Sequence, residues 1–119
     1  MAKILIVDDS PTHTATTMKI LVSAGYDVIT AINGNDGITM AKAELPDLIL
    51  MDVVMPELNG FQATRKLTQD PVTKQIPVIL LTTKDQETDR VWGERQGAKD
   101  YLVKPPTQAT LVAAIEALL

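Results

Sequence analysis

Five short apolar runs punctuate the chain: Ile4 to Val7, Val28 to Ala31, Leu48 to Met51, Val78 to Leu81 and Tyr101 to Val103. Most are continuous rather than alternating and rich in Ile, Leu and Val, the pattern of parallel strands covered on both faces. The segments between them have helical periodicity and recognisable ends. A first helix is predicted from Ser10-Pro11, a capping residue followed by a proline that a first turn tolerates, to a stop near Gly25. Met18, Leu21 and Val22 mark its inward face. The second helix follows Asn33, presents Ile38, Ala41 and Leu45, and ends at Pro46. The third carries Phe61, Thr64 and Leu67 and breaks at Asp70-Pro71. The fourth spans roughly Gln86 to Gln96, with Gly97 as its stop. The last starts at Thr107 and shows Leu111, Ala114, Ile115 and Leu118 on one stripe.

Strand and helix alternate five times, which predicts an α/β fold. Right-handed crossovers favour a flavodoxin-like (βα)5 arrangement, a five-stranded parallel sheet in the order 2-1-3-4-5. The 119 residues suit one domain, residues 1–119, with no output domain expected. In that order strands 1, 3, 4 and 5 are contiguous, and their carboxyl ends share the edge where open α/β sheets bind ligands.

Each of those four strands delivers a polar group to that edge. Strand 1 ends in Asp8-Asp9, strand 3 in Asp52, strand 4 in Thr82 and strand 5 in Lys104-Pro105. An acidic pair at one strand end is often only a solvated turn, and a lone strand-end threonine usually satisfies local backbone. All four together are hard to explain by packing. Three neighbouring carboxylates repel one another, and a hard cation relieves this. Mg²⁺ takes oxygen ligands and is commonly held by one or two carboxylates plus waters and phosphate oxygens. Asp9 and Asp52 are expected as direct ligands, with Asp8 acting directly or through water. A carboxylate so screened can act as nucleophile toward phosphorus. Asp52 is the expected acceptor, because strand 3 lies between the acidic pair and the Thr82/Lys104 side. The hydroxyl and the ammonium are placed to meet phosphoryl oxygens.

Composition narrows the rest. Apolar residues make up 45% and charged residues 22%, and the formal charge is −4, so there is no basic footprint for nucleic acid. No cysteine is present, which excludes disulfides, thiolate catalysis and Cys-based metal sites. The apolar stretch after Lys3 is too short for a signal segment or membrane span, so no membrane insertion and a cytoplasmic location are expected.

Asp8-Asp9, Asp52, Met55-Pro56, Gly60, Thr82 and Lys104-Pro105, in order and suitably spaced, resemble the signature of bacterial response-regulator receivers, the CheY-like family. The resemblance covers Lys3 to Leu119. It implies that a histidine kinase, or its phosphotransfer domain, phosphorylates Asp52. It also implies that Asp8 and Asp9 handle Mg²⁺, that the Val54 carbonyl adds a backbone ligand, and that the Lys104–Pro105 bond is cis. Thr82 and Tyr101 would form the family's switch pair, signalling to a downstream protein on the helix 4–strand 5–helix 5 face. Such a protein phosphorylates itself from a donor and is not a turnover enzyme. The stretches Asp8 to Thr12, Leu58 to Arg65 and Thr83 to Asp89 further resemble a stand-alone member of the family that regulates type IV pilus twitching motility.

Departures from the commonest receiver pattern are Pro106, which stiffens the entry to the last helix, and Val54 and Lys84 beside the site. A haloacid-dehalogenase-type phosphatase would need Asp-x-Asp after its first strand. A flavodoxin would need a Ser/Thr/Gly-rich phosphate loop there, and Asp8-Asp9 would repel its phosphate. A phosphate sink for a partner regulator and a constitutive pseudo-receiver remain as alternatives. His13 is expected to face solvent. Trp92 reads equally as core cover or as partner anchor, and the threonines crowding the first helix suggest no function.

Overall fold

The computed structural model describes residues 1–119. Its elements follow the order β1 (Lys3–Val7), α1 (Pro11–Ser23), β2 (Asp27–Ala31), α2 (Gly34–Glu44), β3 (Leu48–Met51), α3 (Gly60–Gln69), β4 (Val78–Thr82), α4 (Glu87–Arg95), β5 (Asp100–Val103) and α5 (Gln108–Glu116). All neighbouring strands pair in parallel, in the order β2-β1-β3-β4-β5. This is the flavodoxin-like sheet expected from the alternating pattern.

The continuous apolar runs serve two cores at once, because successive strand residues point to opposite faces. Leu5, Val7, Ile49, Met51, Val78 and Leu80 join one cluster, with Ala41 of α2 and Ala63 and Leu67 of α3. Ile4, Ile6, Leu48, Leu50, Ile79 and Leu81 join the other, with Leu21 of α1 and Leu111 and Ile115 of α5. Ser10, Asn33, Asn59 and Thr107 cap their helices through side-chain oxygens that accept the backbone N–H three residues on.

Two helix faces differ from expectation. Val22 is exposed, since α1 seats Thr17 and Leu21 fully and Met18 partly, and Val22 lies past the edge of that stripe. Leu45 is exposed as well: it is the cap beyond the last turn of α2, in the left-handed region at φ 45°, and does not continue the inward stripe.

Candidate functional site

The residues that end the strands are held by extensions of the sheet's own ladder. The Asp8 amide donates to the Ala31 carbonyl at 3.1 Å, the Asp52 amide to the Val7 carbonyl at 2.9 Å, and the Lys104 amide to the Thr82 carbonyl at 2.8 Å. Each residue is thus fixed one step past a strand by the last carbonyl of the strand beside it. Parallel register brings these positions to one edge, and their side chains meet there.

Lys104 is the hub. Its ammonium, on a side chain only 5% exposed, donates to Asp8 Oδ2 at 2.6 Å and to Asp52 Oδ2 at 3.1 Å. The second oxygen of each carboxylate is held by backbone: Ser10 N–H donates to Asp8 Oδ1 at 2.9 Å, and Val54 N–H to Asp52 Oδ1 at 3.3 Å. Asp8 and Asp52 are buried and Asp9 is exposed, yet one carboxylate oxygen from each of the three lies within 4.8 Å of the others. Three carboxylates against one ammonium leave two negative charges in excess. Asp9 makes no hydrogen bond or ion pair, so its carboxylate is free for a ligand.

This donor set fits Mg²⁺. The oxygens are hard and anionic, no sulfur or imidazole stands among them, and the excess charge is that of one divalent cation. Asp8, Asp9 and Asp52 are the side chains that could hold it.

Thr82 is fully buried at the end of β4. Its hydroxyl accepts the Lys84 N–H at 3.4 Å and donates to no protein group, which leaves its proton free. Tyr101 departs from the half-buried strand residue with an outside hydroxyl that its position alone would suggest. Its ring is 2% exposed, and its hydroxyl donates to the Lys84 carbonyl at 2.7 Å. The Arg90 guanidinium lies 5.5 Å from the ring centroid. Burial pushes the Tyr101 hydroxyl up to about 12 from the usual 10.0, and the Asp89 charge adds to this while Arg90 opposes it. The stability owed to the buried neutral phenol is therefore complete below pH 10 and is lost as pH rises toward 12. Denaturant titrations of wild type and Tyr101→Phe should diverge in pH dependence only in that window.

The Lys104–Pro105 bond is cis, and Pro106 is partly buried at the start of the turn into α5. Val54 is 55% exposed beside the acidic cluster. One residue at the site escaped the sequence reading. His13 is exposed, as expected, but its Nδ1 lies 3.0 Å from the Lys104 ammonium. The available signal was its position three residues after Ser10, in a first turn that starts directly above the acidic strand end.

This fold, with three clustered carboxylates facing a lysine at the sheet's carboxyl edge, defines a class. The chain belongs to the response regulator receiver domain family, whose model matches residues 4–116. It is 59% identical over 119 residues to protein PilH of Pseudomonas aeruginosa, covering 100% of this chain and 98% of PilH. The response regulator PleD of Caulobacter vibrioides is 42% identical over 117 residues, which cover 98% of this chain and 26% of PleD. Among solved structures, the chemotaxis protein CheY4 of Vibrio cholerae matches with a TM-score of 0.92 and 34% identity, covering 100% of this chain and 99% of CheY4.

Proposed function

We propose that this receiver accepts a phosphoryl group on Asp52 from a histidine kinase or its phosphotransfer domain and signals through changed protein contacts. The observation that carries the reading is the state of Asp52: buried, held by backbone on one oxygen and by Lys104 on the other, within a cluster short of positive charge. An Asp52 oxygen attacks phosphorus, the bond from phosphorus to the donor atom breaks, and the leaving group departs with that electron pair. Lys104 exchanges one carboxylate for a phosphoryl oxygen, and the free Thr82 hydroxyl donates to another. Asp8, Asp9, Asp52 and the Val54 carbonyl would hold Mg²⁺, which when bound neutralises the carboxylates and the phosphoryl oxygens.

The same loop links chemistry to surface. Lys84 offers its amide to Thr82 and its carbonyl to Tyr101, so drawing Thr82 inward moves the anchor of Tyr101. Beside it Val91 and Trp92 of α4 and Val103 of β5 are exposed, a surface for a downstream protein on the α4-β5-α5 face. Trp92 is 51% exposed, which favours the partner-anchor role over core cover. The likeness to PilH over 98% of that protein supports a single-domain regulator of type IV pilus twitching motility, working in the cytoplasm. No helix is long and apolar enough to cross a membrane.

The test is intact-mass spectrometry after incubation with acetyl phosphate. A gain of one phosphoryl group that needs Mg²⁺ is expected, and no gain, with the cognate kinase also failing, would favour a constitutive binding module. Two further outcomes follow from the site. Lys104→Met should destabilise the metal-free protein by about 3 kcal/mol, because buried carboxylates lose their counter-charge. Added Mg²⁺ should raise the melting temperature of this variant more than that of wild type. Val54→Asn should shorten the phosphoryl lifetime, since a polar side chain at this exposed position can order an attacking water; an unchanged lifetime would refute that.

A further inference from the structure

We infer that His13 is a positioning residue for Lys104, holding its ammonium by a hydrogen bond to an acceptor other than the clustered carboxylates. The inference rests on the reading of Asp52 as phosphoryl acceptor. An ammonium has three donors and no acceptor. Those of Lys104 reach Asp8 Oδ2 at 2.6 Å, Asp52 Oδ2 at 3.1 Å and His13 Nδ1 at 3.0 Å. Lysine can only donate, so in this contact His13 Nδ1 is the acceptor.

The backbone of His13 is itself tied to the cluster. Asp8 Oδ1 accepts the Ser10 amide at 2.9 Å, and Ser10 Oγ accepts the His13 amide at 3.2 Å, which fixes His13 in the first turn of α1. His13 Nδ1 then accepts from Lys104, whose ammonium returns to Asp8 Oδ2. The four hydrogen bonds close a ring through acidic strand end, helix cap, imidazole and lysine.

The consequence concerns the transfer step. Two of the three acceptors of Lys104 are carboxylates of the cluster that would hold the cation, and one of them, Asp52, is the phosphoryl acceptor. His13 is the one acceptor outside that cluster, so it keeps the ammonium in reach while a carboxylate is exchanged for a phosphoryl oxygen. On the same side lies a cleft of about 160 Å³ between α1 and the turn after β5, lined by His13, Thr16, Thr17, Thr83 and Pro106. Without the imidazole the four-carbon stem of Lys104 has room there to take other rotamers.

The test pairs kinetics with spectroscopy. At saturating acetyl phosphate and Mg²⁺, His13→Ala should lower the maximal phosphorylation rate about tenfold, the worth of one hydrogen bond to a charged group. The half-saturating donor concentration should hardly move. His13→Asn, whose Oδ1 stands as many bonds from the backbone as Nδ1, should restore most of the rate, and His13→Leu should not. In the metal-free wild type, ¹⁵N NMR should show Nδ1 unprotonated and hydrogen-bonded, and Lys104→Met should shift that resonance. A His13→Ala rate equal to wild type, a His13→Asn rate as low as that of His13→Ala, or a resonance indifferent to Lys104→Met would overturn the role. A wild type that takes up no phosphoryl group would overturn the underlying reading and this inference with it. Phosphorylation of wild type and His13→Ala alike would overturn only the role of His13.

Discussion

Asp52→Asn is expected to lower phosphoryl uptake from acetyl phosphate at least about a thousandfold while leaving the protein folded. Asparagine has the same shape, and its oxygen can still accept the Val54 amide or the Lys104 ammonium. What it lacks is the nucleophilic carboxylate. Removing one negative charge from a cluster of three also relieves repulsion, so without Mg²⁺ the variant should be as stable as wild type or more so. A stabilised but inert protein separates loss of chemistry from loss of fold. Time courses of uptake, read together with thermal melts in chelator, check both halves.

Gly60→Ala is expected to act in the opposite way, through the fold. Within a helix, glycine to alanine would ordinarily stabilise by about 1 kcal/mol. At the start of α3 that gain is overwhelmed. A Cβ on Gly60 would stand 1.9 Å from the Asp52 carbonyl oxygen, 2.7 Å from its carbonyl carbon and 2.8 Å from the Val53 Cα. These are backbone atoms, so no rotamer change can clear them. The Gly60 amide also donates to the Val53 carbonyl at 3.0 Å, and moving the helix away breaks that bond. A net loss of about 3 kcal/mol is expected from the overpacking, measured by urea denaturation. The strained segment is the backbone of Asp52 and Val53, so phosphorylation should also slow in whatever fraction stays folded.

The convergence of Asp8, Asp52, Thr82 and Lys104 was legible because each stands at or directly after the end of an apolar run, and parallel order alone brings those ends together. The strand ends near the site agree with the apolar runs to within one residue, and in β1, β3 and β4 burial on both faces leaves no polar residue inside the run to blur the limit. Helix faces were less legible. Leu45 is apolar and correctly phased, yet it caps α2 in a left-handed conformation, which Pro46 foreshadows only as a stop. Thr17 is buried where a polar residue on a threonine-rich helix would be assigned to solvent, and Val22, apolar, is left outside. Tyr101 is wholly inward because the Lys84 carbonyl, a partner sixteen residues before the strand, satisfies its hydroxyl. His13 shows the same limit most sharply: its exposure followed from its helical position, but its bond to Lys104 joins groups 91 residues apart. Side chains that meet across loops are set by tertiary packing, and no local pattern records them.

Reduction of the phosphorylated protein with borohydride, followed by tandem mass spectrometry, tests the assignment of Asp52 most directly, because it converts an aspartyl phosphate to homoserine at the residue that carried it. Homoserine at position 52, formed only after treatment with donor and Mg²⁺, is the expected result. Homoserine at position 8 or 9, or at none, would contradict Asp52 as the acceptor.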